Sequence, residues 1–158
     1  MEKKDWEIPL FPIEEKIRRH KAIRELMGFR NIDCLIIPGM HANYGANRAN
    51  IRYVSNYAQW YDEEHITFPL EGDPVLFVFS PTHYSWAKRI SWLPVKLSSK
   101  REHIKNIVDE IKRLGLENKT LGIVDMEIMS ASIYTSNIIW GYIKETKMRI
   151  DVNVWKKQ

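Results

Sequence analysis

The chain contains few of the residue arrangements that catalytic chemistry requires. Its five histidines are scattered along the sequence, and none belongs to a His-Glu-x-x-His pair. A zinc or two-metal site needs at least three converging nitrogen or oxygen ligands. We therefore interpret the histidines as surface or partly packed residues, and the sequence predicts no metal site in this chain. They are His20, His41, His65, His83 and His103.

Nucleophilic catalysis is not indicated either. Cys34 opens the apolar run Cys34-Leu35-Ile36-Ile37, where burial raises the pKa of a thiol and suppresses the reactive thiolate. No serine lies in a Gly-x-Ser-x-Gly elbow. The small-residue stretch at 44–47 has one glycine, too few for a phosphate-binding loop. The sequence therefore predicts no catalytic residue.

The best candidate for recognition is the aromatic and acidic loop at residues 57–65, Tyr-Ala-Gln-Trp-Tyr-Asp-Glu-Glu-His. Trp60 and Tyr61 offer flat apolar surface with a polar group, which suits an interface or a ligand pocket. Asp62 and its acidic neighbours could meet the amino group of a substrate. The alternative is that Tyr57 and Trp60 pack in the core or hairpin, and these two interpretations stay open. The acidic run itself is interpreted as a solvated loop.

The overall composition is that of a single soluble globular domain. The 158 residues are 44% hydrophobic and 28% charged, which excludes disorder and allows a sizeable core. A single cysteine fits a reducing cytoplasm, and no apolar run is long enough for a signal core or a membrane span. The net charge of +4 is spread along the chain, so we expect a cytoplasmic protein that binds neither membrane nor nucleic acid.

Hydrophobic periodicity predicts helices that alternate with strands. The apolar residues Ile13, Ile17, Ile23, Leu26 and Met27 recur with helical spacing. The Glu-Gly-Asp turn at 71–73 predicts an antiparallel hairpin. Predicted helices lie at 13–27, 81–90, 99–114 and 130–147, and predicted strands at 33–38, 51–55, 65–70, 74–79, 92–97, 120–124 and 148–155. The fold class is α/β, with a mixed sheet and helices on both faces.

Three stretches resemble the N-terminal domain of the creatinase, prolidase and aminopeptidase P family. The first is Asn-x-x-Tyr-Val-Ser at 50–55, which follows Ile-Asp-Cys-Leu-Ile-Ile at 32–37. The second is Phe-Pro-Leu-Glu-Gly-Asp-Pro-Val-Leu at 68–76, which looks like the hairpin of the family. The third is Leu-Gly-Leu at 114–116, which leads into Lys-Thr-Leu-Gly-Ile-Val-Asp at 119–125. The resemblance extends from about Ile13 to Val154.

This resemblance implies a ribonuclease-H-like α/β fold. In the family, the domain precedes a separate pita-bread domain that holds a two-metal site of two Asp, one His and two Glu, suited to manganese, cobalt or zinc. We therefore expect residues 1–158 to form one creatinase/prolidase N-terminal-like domain, with residues 1–11 as an N-terminal arm. We also expect the catalytic pita-bread domain to be absent from this chain, which then has no cofactor of its own.

The resemblance also implies partners and a function. Family members commonly dimerise, and this domain can reach over the active site of the neighbouring subunit. By resemblance, Arg52, Trp60, Tyr61 and His65 lie where that approach occurs. We expect a non-catalytic module of a Xaa-Pro dipeptidase, aminopeptidase or creatinase-like hydrolase. It would serve dimerisation and access of a peptide or small amide substrate, with a second copy or its own catalytic domain as partner.

Two other functions stay open at this point. In the first, the chain is a small standalone enzyme that uses Asp62, Glu63 or His65 as acid or base, which requires these side chains to converge in a pocket. In the second, the chain is a regulator that binds a separate protein through the loop from Trp60 to His65.

Overall fold

The described part of the chain alternates helices with short strands. The computed structural model describes residues 11–39, 46–57, 64–98, 103–124 and 149–151. None of the helices in these ranges is long and apolar enough to cross a membrane. The elements are α1 (Ile13–Phe29), β1 (Cys34–Gly39), α2 (Ala46–Ser55), β2 (Glu64–Pro69), β3 (Val75–Val78), α3 (Pro81–Ile90), β4 (Val95–Leu97), α4 (His103–Arg113), β5 (Thr120–Ile123) and β6 (Arg149–Asp151).

The strands form one mixed sheet in the order β4-β3-β2-β1-β5-β6. Strand β2 is antiparallel to both of its neighbours, β1 and β3. The pairs β1–β5, β5–β6 and β3–β4 are parallel. Gly72, in the turn between β2 and β3, has a φ of +97°, a conformation that favours glycine. The predicted hairpin is therefore confirmed.

The two faces of the sheet carry separate hydrophobic clusters. Helices α1, α2 and α3 cover one face, where Leu35 and Ile37 of β1 contribute to the core. Helix α4 covers the other face, where Cys34 and Ile36 of β1 meet Ile107. Strand β1 is buried along its whole length because its alternate side chains point into two cores. The prediction of a mixed sheet with helices on both faces is confirmed.

The predicted strand at 51–55 is wrong, because these residues form the second half of α2. Ile51, Val54 and Ser55 are buried, at the i, i+3, i+4 spacing of a helix face. The Ser55 hydroxyl donates to the Ile51 carbonyl at 2.7 Å, as within a helical turn. The β-branched residues in this stretch gave it strand propensity, which packing against β1 overrides.

The buried face of α1 also differs from the prediction. Ile13 and Ile17 are 53% and 62% exposed, whereas Arg19 and His20 are buried beside Ile23. At 3.6 residues per turn, Ile17 points about 120° away from Ile23, so the two isoleucines do not share one face. The predicted helix at 13–27 agrees with α1 within two residues, but the predicted direction of its buried face was wrong.

Other predicted elements agree with the observed bounds within a few residues or lie outside the residues that the structure describes. Strand β4 is at the edge of the sheet, as expected, but it is shorter than the predicted 92–97. Gly115, after α4, has a φ of +68°, which suits a helix C-terminus. The arm at 1–10, the capping residues at 99 and 102 and the helix at 130–147 lie outside the described residues.

Candidate functional site

The candidate site lies at one end of the sheet, which we call the carboxyl edge. It is the row of paired residues Gly39, Glu64, Val78 and Leu97. Strands β1, β3 and β4 end in this row, and β2 begins there. Ligands of open α/β sheets bind beyond the carboxyl ends of the parallel strands. The chain enters β2 at Glu64 directly from residues 58–63, so the predicted recognition loop is attached to this edge.

Gly39 lets α2 approach the end of β1 closely. A Cβ at residue 39 would lie 2.6 Å from Ile51 Cγ1 and 2.7 Å from Glu64 Cγ, which is far inside van der Waals contact. Ile51 and Glu64 are both buried, so neither has room to move aside. The backbone of β1, the side of α2 and the first residue of β2 are thus packed together at the carboxyl edge.

The structure separates the predicted site residues that it describes. Tyr57 is buried in the core on the side of α1 and α2, and its N–H donates to Ser55 Oγ at 3.1 Å. His65 is buried on the opposite, α4-covered face, where its ring stacks on Phe77 at 4.5 Å and 6°. Arg52 is exposed on α2. The predicted residues Trp60, Tyr61 and Asp62 lie outside the described residues.

Neighbouring residues of β2 point to opposite faces of the sheet, and this fixes the environment of two polar side chains. Glu64 is buried, so the interpretation of the acidic run as a solvated loop is wrong at this residue. His65, one position later, is withdrawn from solvent against Phe77. The two side chains cannot converge in one pocket, because the sheet lies between them.

A cleft of about 370 Å³ lies between α1 and α2, near the carboxyl ends of β1 and β5. Among the described residues that line it, only Asn50 and Tyr53 are polar, which suits an apolar group fixed by a few hydrogen bonds. The lining residues are Ala22, Ile23, Leu26, Ile37, Asn50, Tyr53, Val54 and Val124. The cleft was not predicted, because residues 51–55 have the sequence pattern of a strand. The i, i+3, i+4 spacing of Asn50, Tyr53 and Val54 was the available signal.

Arg19 contacts Tyr53, one of the residues that line this cleft. Its guanidinium carbon lies 4.5 Å from the ring centre of Phe11, 4.7 Å from Tyr53 and 5.5 Å from Trp92. Its Nε donates to Glu15 at 3.1 Å and its Nη1 to the Tyr53 carbonyl at 3.1 Å. Such cation–π contacts strengthen when the cation is shielded from water, as here, where Arg19 is buried. They tie α1 to α2 and to the segment after α3.

His20 makes a second link between α1 and α2. Its Nε2 lies 2.8 Å from the Val54 carbonyl oxygen, so the neutral ring donates a hydrogen bond there. The ring also meets Phe68 edge-on at 5.0 Å. Burial lowers the pKa of His20, the hydrogen bond to Val54 opposes this change, and the nearby Lys16 and Arg24 lower the pKa further. The folded protein therefore holds His20 neutral.

We expect the free energy of unfolding to decrease as the pH falls below about 6.5, because the unfolded chain binds the His20 proton first. The stabilisation is complete above the unfolded pKa and declines towards the lower folded pKa. A His20→Gln variant keeps a donor and should lose this part of the pH dependence in urea unfolding at pH 7.5 and 5.5. His83 lies on α3 and is partly buried. The matched control, His83→Gln, should retain the pH dependence that His20 contributes. Equal pH dependence in wild type and His20→Gln would contradict the assignment.

Cys34 is a core residue. Its thiol is buried, and burial raises its pKa far above the usual range, so a reactive thiolate does not form at neutral pH. Within the described ranges, no three His, Cys, Asp or Glu side chains are placed to hold one metal ion. The cleft and the carboxyl edge are the candidate binding surfaces of the described part of the chain.

The sheet order, the helices on its two faces and the carboxyl edge define a small mixed α/β domain. Residues 19–137 match the Creatinase/Prolidase N-terminal domain family. The chain belongs to this family, and the fold and family expected from the sequence are confirmed. Comparison with curated proteins yields no match.

Solved structures share this fold at low sequence identity. Prolidase from Pyrococcus furiosus is 19% identical with a TM-score of 0.57, over 85% of this chain and 34% of that one. An N-terminal domain of an X-Pro dipeptidase from Streptococcus pyogenes is 16% identical with a TM-score of 0.57, over 86% and 92%. An Xaa-Pro aminopeptidase from Streptococcus thermophilus is 16% identical with a TM-score of 0.59, over 88% and 94%. The chain thus spans about a third of the prolidase.

Proposed function

We propose that this chain is the non-catalytic N-terminal domain of a Xaa-Pro dipeptidase-type, aminopeptidase-type or creatinase-like hydrolase, and that it serves assembly and substrate access. The observation that carries the proposal is how much of each relative the chain covers. It covers 92% of a separately solved X-Pro dipeptidase N-terminal domain but 34% of a prolidase. The substrate is a peptide or small amide. Hydrolysis and its two divalent metal ions belong to a catalytic domain, in the same polypeptide or in another one.

The packing of the residues that flank the recognition loop in the sequence supports a role in substrate access. Tyr57 before the loop and Glu64 after it are both buried, and Gly39 packs against the second of them. A loop with fixed ends loses less conformational entropy when it meets a partner. Trp60, Tyr61 and Asp62, which lie between these two buried residues in the sequence, are the residues proposed to contact a neighbouring subunit.

The proposed partner is a second copy of the chain, in the cytoplasm. The buried, unpaired Cys34 agrees with a reducing compartment. Arg52 is exposed on α2, the helix that packs against the carboxyl edge, and contributes a charge to the contact between subunits.

Light scattering coupled to size exclusion tests the assembly role. We expect twice the monomer mass at high protein concentration and a shift towards the monomer in Arg52→Glu. Lys105→Glu, an exposed charge reversal on α4, is the matched control and should leave the mass unchanged. A monomer at every concentration would contradict self-assembly, and an equal shift in both variants would contradict the role of Arg52.

A further inference from the structure

The outer face of α3 presents an exposed indole among polar and basic side chains. Trp86 is 41% exposed, although Ala87 beside it is fully buried on the inner face of the same helix. Lys88 and Arg89 follow in the last turn. The exposed residues of this face, which we call the α3 outer face, are Thr82, Ser85, Trp86, Lys88 and Arg89.

Helix α3 belongs to a stretch of the sequence in which basic residues are in excess. Residues 74–101 contain no Asp or Glu but five Lys or Arg residues. Lys96 pairs with Glu110 at 2.6 Å. Lys88 and Arg89, by contrast, make no ion pair with any carboxylate in the described ranges. Their charges are therefore available to a partner.

The side chains border a shallow depression of about 600 Å³, which Tyr84 also lines. The Lys88 ammonium lies 5.3 Å from the centre of the Tyr84 ring, a cation–π contact that holds the charge over the depression. Trp and Arg are the residue types most enriched at interface hot spots. Trp86 and Arg89 place both on one surface.

We propose that the α3 outer face binds an acidic segment of a partner protein. Carboxylates of that segment pair with Lys88 and Arg89, and an apolar side chain beside them packs on Trp86. Charge complementarity selects this occupant, since two copies of the same basic face repel each other. The proposal does not depend on the function proposed above, because it uses a different surface.

A protein partner fits this face better than a nucleic acid. Binding to a phosphate backbone depends on many cations arranged along a track, whereas α3 carries two, beside one exposed aromatic ring. Cations in a last helical turn also stabilise the helix dipole. That role accounts for Lys88 and Arg89, but it does not account for the exposure of Trp86.

Fluorescence anisotropy with labelled peptides tests the proposal on the whole chain. The probes are a twelve-residue peptide of glutamates with one central phenylalanine and its counterpart with glutamines. We expect at least tenfold tighter binding of the glutamate peptide at low salt. Trp86→Ala and the pair Lys88→Glu with Arg89→Glu should each weaken it at least tenfold. Both changes cost some stability, because Trp86 is partly buried and two glutamates in the last turn oppose the helix dipole, so affinities are compared at a temperature at which circular dichroism shows every variant to be folded.

The matched control is the pair Lys105→Glu with Lys119→Glu, which changes the net charge equally at exposed positions outside α3. This control should change the affinity for the glutamate peptide by less than about twofold from that of wild type. That factor corresponds to a change in binding free energy below ~0.5 kcal/mol. Equal loss in this control would overturn the proposal, because attraction would then depend on net charge alone. Absence of binding would also overturn it. So would tighter binding of a single-stranded oligonucleotide that depends on the same three residues.

Discussion

Replacing Lys96 and Arg113 with methionine should lower the free energy of unfolding at neutral pH by about 3 kcal/mol. Glu110 of α4 is 2% exposed, and its carboxylate accepts bonds of 2.6 Å from Lys96 of β4 and 2.6 Å from Arg113. Methionine keeps the apolar stem of each side chain but removes the charge. The double variant therefore leaves a buried carboxylate without a counterion, and α4 without its ionic tie to the sheet.

The pH dependence of this effect has a definite sign. In the wild type, hydrogen bonds from Arg113 and then Lys96 hold the pKa of Glu110 below its usual range. Its stabilisation is therefore complete above the unfolded pKa of about 4.3 and disappears as the pH falls through the lower folded value. In the double variant, burial alone raises the pKa, so acidification from pH 7 to pH 5 should reduce the difference from wild type.

Glu110→Gln provides the control for this prediction, with urea unfolding as the measurement. Added to the double variant, it should recover most of the lost stability, since no charge then stays buried. In the wild-type background it should cost about 1 kcal/mol, because the Lys96 and Arg113 side chains are 46% and 59% exposed and can be hydrated. A double variant as stable as wild type, with an unchanged pH slope, would contradict this role of Glu110.

Gly39→Ala should lower the free energy of unfolding by about 1–3 kcal/mol, the usual range for overpacking a buried position. The added methyl group would meet Ile51 Cγ1 at 2.6 Å and Glu64 Cγ at 2.7 Å. Relief requires α2 to move away from β1, which also disturbs the base of the recognition loop. Thermal or urea unfolding measures the loss.

Gly28→Ala is the matched control for Gly39→Ala. A Cβ at residue 28 meets nothing within 4 Å, and the residue lies in α1. Alanine in a helix is favoured over glycine by up to about 1 kcal/mol, so this variant should be slightly stabilised. If Gly39→Ala matched the stability of wild type, α2 would not pack against β1 as closely as described.

The parts of the fold that local signals determine were predictable from the sequence. The turn at Gly72 and the proline at the start of α3 are examples, because each reflects the conformational preference of a single residue. Helix α2 was not predictable in this way. Ile51 and Val54 have strand propensity, which outweighs the short helical spacing in this stretch, and their contacts with β1 decide for the helix. Long-range packing therefore decided the element next to the candidate site.

The recognition loop stays a prediction, and the packing of the residues around it could not be predicted from the sequence. The loop before β2 stood out by its aromatic and acidic composition, and it is attached to the carboxyl edge. The alternation of β2, which buries Glu64 and His65 on opposite faces, could not be read from a segment with polar residues at both positions. The burial of Arg19 among aromatic rings could not be predicted either. Its cation–π partners Phe11, Tyr53 and Trp92 are far apart in the sequence and meet only after folding.

A peptidase assay tests the central claim most directly. The purified chain is incubated with a Xaa-Pro dipeptide such as Ala-Pro in the presence of Mn²⁺, Co²⁺ or Zn²⁺, and released proline is quantified against an active prolidase. We predict no release above the protein-free control with any of the three metals. Metal-dependent release that a chelator abolishes, at a specific activity that stays constant through further purification, would contradict a non-catalytic domain.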